Sequence, residues 1–272
     1  MEKETKRIAL VTGATGVIGQ ALVEGLNRVK GIEVVPSGRN PEKIQTVQNH
    51  LSAVKKIRSI LPPVLLDQGD AKSIRTLREN WKGPLHILII NGSVTPPKRE
   101  QTPEGIEAQW AVNVLGYHRL IKAFSDILAH SADETPSRIV VVASSWAGGL
   151  DVTDPEFKRR KYDTGTAYRQ SKQAERMLAS AWAAFLKEQY GSRVTVNACH
   201  PGEVNTPLSN SLGFGGHESP EEGADTPVWL ATTKELETVT GGWFTYRSRS
   251  TCRFASDVPS VQALWDLVES YG

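Results

Sequence analysis

Ile8-Ala9-Leu10-Val11-Thr12 runs without a break into Gly13-Ala14-Thr15-Gly16-Val17-Ile18-Gly19, and the reading of this stretch decides the fold. The first part is an apolar β run. The second is a glycine-spaced turn, and beyond it Val17, Ala21, Leu22, Leu26 and Val29 recur on one face of a helix. Glycines at 13, 16 and 19 let the chain turn tightly and let a ligand approach the backbone closely. The helix that starts there presents unpaired N–H groups and the positive end of its dipole, which together suit a pyrophosphate. Strand, glycine turn and helix in this order predict a dinucleotide cradle.

Working outward, short β-rich runs recur at Glu33 to Pro36, Val64 to Leu66, Leu85 to Ile90, Arg138 to Ala143, Val194 to Ala198 and Gly242 to Tyr246, with helical patterns between most of them. That alternation predicts an α/β fold: one doubly wound domain over residues 1–272, with a parallel sheet of about seven strands and helices on both faces. Ligands then sit at the carboxyl ends of the strands. Ser219-Pro220-Glu221-Glu222 supplies an N-cap, a proline in the first helical position and a glutamate in the third, a capping box that opens a helix running through Trp229. A length of 272 residues with 39% hydrophobic content suffices for a single large core. No internal repeat or linker marks a second domain.

The net charge of +2 gives no reason to expect nucleic acid. The one dense basic run, Lys158-Arg159-Arg160-Lys161, reads as a solvated loop, or else as a rim that attracts an anionic ligand. Cys199 and Cys252 offer neither a disulfide framework nor metal-ligand spacing, which suits a reducing compartment. The six histidines form no zinc-binding pattern, so no metal is expected. The N-terminal Met1-Glu2-Lys3-Glu4-Thr5-Lys6-Arg7 is charged, and no run approaches the roughly 18 apolar residues of a membrane span. The expected location is the cytoplasm.

Tyr168-Arg169-Gln170-Ser171-Lys172 places a phenol and an ammonium four residues apart, on one face of a helix. A tyrosine near its reference pKa of about 10 is a poor acid-base catalyst at neutral pH, but an adjacent Lys⁺ favours the phenolate. The pair therefore reads as a proton-transfer device with Lys172 lowering the pKa of Tyr168.

Together, Thr12-Gly13, Gly16 and Gly19 followed by Tyr168 and Lys172 resemble the short-chain dehydrogenase/reductase family, and the likeness spans nearly the whole chain. Asp67, Asn91, Asn113, the pair Ser144-Ser145 and Pro201-Gly202 follow in the family's order. Val112-Asn113-Val114-Leu115-Gly116, His200-Pro201-Gly202 and Ser219 to Ala224 look most like the branch with retinol dehydrogenases and light-dependent protochlorophyllide reductases. The resemblance implies a Rossmann-type fold and a catalytic set of Asn113, Ser145, Tyr168 and Lys172. Tyr168 would be the general acid, Lys172 would also grip the nicotinamide ribose, Ser145 would donate to the carbonyl oxygen, and Asn113 would anchor a water leading to Lys172. Ser144 is the alternative to Ser145. The resemblance also implies cofactor contacts at Gly13, Thr15, Gly16, Val17, Ile18, Gly19, Ser37, Arg39, Asp67, Gln68, Asn91, Gly92, Pro201, Gly202, Val204 and Thr206. Ile90-Asn91-Gly92-Ser93 departs from the family's usual Asn-Asn-Ala-Gly, which puts local cofactor affinity in question.

After the second β run, enzymes that use NAD generally place a carboxylate on the ribose 2′-OH, whereas an arginine accommodates a 2′-phosphate. Pro36-Ser37-Gly38-Arg39-Asn40 has no carboxylate and offers Arg39, so NADP(H) is expected. The reaction implied is hydride transfer between NADPH and an apolar aldehyde or ketone. The alternatives are reduction of an activated C=C bond and a non-catalytic NADP(H)-binding sensor or scaffold. Residues 205–218 stand where the family has its substrate lid, and the residues from Ala147 to Asp163 form a second pocket-shaping loop. The helix after Thr164 carries Ala174, Ala179, Ala181, Ala183 and Ala184 beside Leu178, Trp182 and Phe185, more apolar surface than one core-facing stripe needs. With the family's habit at this helix, it implies a homodimer or homotetramer.

Overall fold

The computed structural model describes residues 6–53 and 60–272. Met1 to Thr5, part of the charged N-terminal run, lie outside them. The strands are β1 (Arg7–Val11), β2 (Ile32–Gly38), β3 (Val64–Leu65), β4 (Ile87–Ile90), β5 (Ser137–Val142), β6 (Val194–His200), β7 (Trp243–Thr245) and β8 (Ser248–Ser250). The helices are α1 (Val17–Arg28), α2 (Pro41–Ala53), α3 (Ala71–Asn80), α4 (Gly116–Ser131), α5 (Thr164–Tyr190), α6 (Pro207–Ser211), α7 (Pro220–Thr232) and α8 (Val258–Glu269). They form one eight-stranded sheet in the order β3-β2-β1-β4-β5-β6-β7-β8. Every pairing is parallel except β7 with β8. The sequence reading missed β8 because Ser248-Arg249-Ser250 has no apolar residue to mark it. Tyr246 and Arg247, both at positive φ, make the two-residue turn between the last two strands.

The central strands are continuous apolar runs because the sheet is covered on both sides. Leu10, Leu88 and Ile139 belong to one core, with Trp110, Leu120 and Trp182. Their neighbours Ala9, Val11, Ile87, Ile89 and Val140 point the other way, into a core shared with Leu22, Leu26 and Leu230. All four residues of β4 are buried, as the middle of such a sheet requires. Strand order reverses between β1 and β4, so the connections leaving the carboxyl ends of these two strands run to opposite sides and open the crevice where such folds bind ligands.

Three features around that crevice differ from the sequence reading or sharpen it. Residues 110–115, just before α4, form a π-helix that brings Asn113 into the interior. The segment 205–218 is partly ordered: α6 starts on a capping box between Thr206 and Ser209. Most of the basic run is tied down rather than offered to a ligand. Asp154, itself buried, accepts N–H bonds from Lys158, Arg159 and Arg160, and the Arg160 guanidinium reaches Gln170. On α5, the aromatic side chains expected at an oligomer face meet the chain's own last helix, with Trp265 of α8 packed edge-on against Trp182. Among the described residues no helix is long and apolar enough to cross a membrane, and no cluster of His, Cys, Asp or Glu could hold a metal ion.

Candidate active site

At the carboxyl ends of β1, β2, β4 and β5 lies a cavity of about 410 Å³. Its floor is the glycine turn. Gly13 has φ 63°, and a Cβ there would sit 2.7 Å from the Gly92 Cα, so the turn is shaped for glycine by conformation and by contact. Ala14 N–H donates to the Ser37 carbonyl at 2.9 Å, which fixes the turn to β2. From the other side, Asn91 Nδ2 donates to the carbonyls of Thr12 and Gly13 at 3.1 and 3.3 Å. Thr12 Oγ1 accepts from the N–H groups of Asn91 and Gly92. Helix α1 then begins with Gly16 as an N-cap that supplies no side-chain bond, which leaves first-turn N–H groups for a ligand.

The departure at Ile90-Asn91-Gly92-Ser93 has a local cause. Gln68 lies against Gly92, donating from Nε2 to its carbonyl at 3.3 Å, and a Cβ at 92 would stand 2.2 Å from the Gln68 Oε1. Glycine at 92 therefore makes room for this glutamine, while Asn91 keeps the brace on the glycine turn. Gln68 Oε1 is buried without a hydrogen-bond partner beside the cavity. Such an orphaned acceptor fits a donor on a bound molecule. Asp67 shares that wall, with Oδ1 taking the Gly69 N–H at 2.9 Å. Arg39 lines the mouth below the end of β2, with no acidic residue among the lining groups there except Asp67.

Of the residues expected at the cofactor site, Gly13, Thr15, Gly16, Val17, Ile18, Gly19, Arg39, Asp67, Gln68, Asn91, Gly92, Lys172, Pro201 and Thr206 line this one cavity. Three do not. Ser37 is fully buried, its hydroxyl donating to the Val11 carbonyl at 3.1 Å, so it braces the sheet. Gly202 packs against the Glu218 carboxylate and Val204 against Gly223, both behind the wall. Their place in the sequence, beside Pro201, is near the pocket.

Tyr168 and Lys172 line the same cavity from α5. Both are buried. Burial pushes the Tyr168 phenol up from its ordinary value; Lys172 pulls it down, Glu175 pushes it up and Ser144 pulls it down, and the net direction is upward. Lys172 thus acts on Tyr168 in the expected direction, but desolvation and a carboxylate absent from the sequence reading, Glu175, outweigh it. Lys172 Nζ lies 2.8 and 3.0 Å from the two Glu175 oxygens and 3.5 Å from the Val142 carbonyl. Despite burial, which acts to lower it, the Lys172 ammonium is held up by Glu175 and Tyr168.

The two serines after β5 divide. Ser144 is buried and its hydroxyl interacts with the Tyr168 phenol while accepting the Trp146 N–H at 3.1 Å. Ser145 is exposed and turns its hydroxyl to the His200 Nε2 at 3.2 Å. Ser144, the alternative to Ser145, is thus the serine in hydrogen-bond reach of the Tyr168 phenol, and neither serine is among the residues that line the cavity. Asn113 is buried, accepting the Val94 N–H at 3.0 Å and donating to the Ser171 hydroxyl at 3.1 Å. Ser171 in turn donates to the Tyr168 carbonyl at 2.8 Å. Asn113 therefore links the segment after β4 to the helix turn that carries the tyrosine.

Above the phenol, Trp146 lies 5.9 Å from the Tyr168 ring and meets Phe214 edge-on at 4.9 Å. Phe214 belongs to the 205–218 segment, and Ser211 of α6 is joined to Thr95 across the crevice at 2.8 Å. Sequence reasoning passed over Trp146, Phe214 and Glu175, and gave His200 no role beyond its motif. The first two are far apart in the chain, and only the fold brings them together.

A family model described as short chain dehydrogenase matches residues 7–213. Among curated relatives, a "Probable oxidoreductase" of Streptomyces lividans is 33% identical, covering 88% of this chain and 84% of that protein. Retinol dehydrogenase 13 of Mus musculus is 32% identical over 95% of this chain and 81% of its own length. Polyprenol dehydrogenase of Homo sapiens is 30% identical over 90% of this chain and 78% of its own. Among solved structures, the Pseudomonas aeruginosa RhlG/NADP active-site complex superposes with a TM-score of 0.69 at 24% identity, covering 89% of this chain and 95% of the other. A protein from Mycobacterium paratuberculosis superposes with a TM-score of 0.80 at 24% identity, over 98% and 93% of the two chains. The structural likenesses speak to the fold.

Proposed function

Because the chain belongs to the short chain dehydrogenase family of nicotinamide-dependent oxidoreductases, we propose that it is an NADPH-dependent reductase of apolar aldehydes or ketones, reversible in the alcohol direction. The observation that carries this reading is that the Tyr168 phenol and Lys172 ammonium line the same cavity as the glycine turn and Arg39. The uncapped start of α1 and the turn from Gly13 to Gly16 would hold the pyrophosphate, and Arg39 the 2′-phosphate by a charge-assisted bond. Asp67 and the unpaired oxygen of Gln68 would meet the adenine side. Bound NADPH supplies the hydride.

The chain's own residues then manage the oxygen. Tyr168, protonated at neutral pH, gives its proton to the oxygen on which negative charge develops, and the Lys172 ammonium, which acts against the effect of burial, eases that transfer. Ser144, on the tyrosine's side of the strand end, donates a hydrogen bond to the same oxygen. Lys172 holds a positive charge beside the phenol and would grip the nicotinamide ribose. Asn113 holds the start of the catalytic turn through Ser171. Trp146 and Phe214 give the mouth an aromatic wall, and residues 205–218 serve as the lid. Relatives named for retinol and polyprenol support an apolar substrate.

The test is oxidation of NADPH against NADH with a panel of aromatic, long-chain and isoprenoid carbonyls, run beside Tyr168→Phe and Ser144→Ala. Turnover with NADPH that vanishes in the tyrosine variant is the expected result. Binding of NADPH without turnover on any carbonyl would overturn the reading.

A further inference from the structure

Glu175 lies one helical turn beyond Lys172 on α5, its side chain 4% exposed. Both of its oxygens are on the Lys172 ammonium, at 2.8 and 3.0 Å. The other titratable groups facing it are Tyr168, from its own helix, and Tyr117, from α4, whose hydroxyl is buried without a hydrogen-bond partner. Arg176, the next residue, turns away to stack on the Trp243 ring at 4.0 Å. The carboxylate therefore answers to one cation, and that cation is the one beside the proton-transfer tyrosine.

A buried carboxylate is costly unless it is paired: burial pushes the Glu175 carboxyl up to about 7 against the pull of Lys172, so it carries its full charge in the alkaline range where a phenol titrates. An ammonium alone would favour the phenolate strongly at this depth. An ammonium with a carboxylate on it presents only the field of a dipole, and the Tyr168 phenol is left to the effect of burial, which keeps it protonated. The pairing also fixes Lys172 Nζ, which in addition touches only the Val142 carbonyl among the bonds it makes within the described residues.

We propose that Glu175 is a positioning residue that anchors the Lys172 ammonium and offsets its charge at the phenol, holding Tyr168 in its protonated form to higher pH. The proposal rests on the reductase reading above. It concerns this chain's own residues, so it can be tested without turnover.

The near-ultraviolet absorbance of tyrosinate is followed during a pH titration of the NADP⁺ complex, and the signal lost in Tyr168→Phe identifies Tyr168. Glu175→Gln keeps the shape and a carbonyl for Lys172 but removes the charge. Its Tyr168 midpoint is expected to fall by about one pH unit. Glu175→Asn, smaller but equally uncharged, gives the same downward direction should the glutamine fail to pack. Glu175→Asp, which keeps the charge, stays close to wild type. In the assay of alcohol oxidation, the pH profile of the glutamine variant moves down in parallel, with about a tenfold gain on the acid side. An unchanged or raised midpoint in the uncharged variants, or an equal shift in the aspartate variant, overturns the proposal. Absence of turnover by wild type with every carbonyl would instead sink the reductase reading, and the titration would still decide the role of Glu175.

Discussion

Replacing Gly19 with alanine probes the glycine turn where its packing is tightest. Gly19 is the third residue of α1, and a Cβ there would stand 2.1 Å from the Gly13 carbonyl oxygen and 2.8 Å from the Ala14 Cα. Ordinary contact between such atoms is about 3.5 Å. The obstructing atoms are backbone, and that backbone is held by Ala14 N–H on Ser37 and by Asn91 on Gly13, so it cannot swing aside as a side chain would. Overpacking of this kind costs about 1 to 3 kcal/mol. For a chain of this size that is a fall of about 2 to 5 °C in Tm. If the turn opens to relieve the clash, its N–H groups leave the phosphate position, and the same energy appears as about 5- to 150-fold weaker NADPH binding. Gly16→Ala is the control, because its Cβ would come no nearer than 3.4 Å to the Gly13 oxygen. Thermal melts with and without NADPH, and a titration of NADPH fluorescence, measure both quantities. A Gly19→Ala protein that melts within a degree of wild type and binds NADPH within twofold would refute the reasoning.

Other consequences are open to measurement. Arg39→Ala is expected to weaken NADPH binding about 10- to 100-fold, the worth of a hydrogen bond between charged groups, while NADH binding stays level; equal losses for both cofactors would deny Arg39 the 2′-phosphate. Phe214→Ala removes the edge-on contact with Trp146, so KM for apolar carbonyls should rise several-fold with NADPH affinity unchanged, and cleavage by a protease near Leu212 should quicken. Stability should fall on acidification through His118. Burial holds this imidazole down at about 4 against an ordinary 6.5, with Glu269 opposing, so below 6.5 the unfolded chain binds a proton that the folded chain refuses. Stability is then lost as pH drops from 6.5 towards 4, by up to about 3 kcal/mol. Glu269, whose carboxyl is held low by Lys122 and His118 against the opposing effect of burial, acts in the same direction at the acid end. Urea unfolding across that range should show the loss, and His118→Gln should flatten it.

Much of the fold was legible because fully covered parallel strands leave unbroken apolar runs, of which Ile87 to Ile90 is the clearest. Glycines 13, 16 and 19 were legible because few other structures need them at the end of such a run. What escaped was set by direction rather than by residue type. Ser144 and Ser145 are chemically identical, and only the twist at the end of β5 sends one to Tyr168 and the other to His200. Glu175, three residues from a lysine on a helix, reads as an ordinary solvated pair until α4 is seen to cover it. The loop from Ala147 to Asp163 reads as basic and open, yet Asp154 gathers its N–H groups into a compact knot.

The sheet ends on strands of only two and three residues, β3 and β8. An open strand edge is an invitation to any other extended chain, and a long one is an aggregation hazard. Here one margin is nearly absent, and the other carries Arg249 in a hairpin that folds back on β7. At the β8 margin only three residues offer their outer edge, and two of them, Ser248 and Arg249, are exposed polar residues.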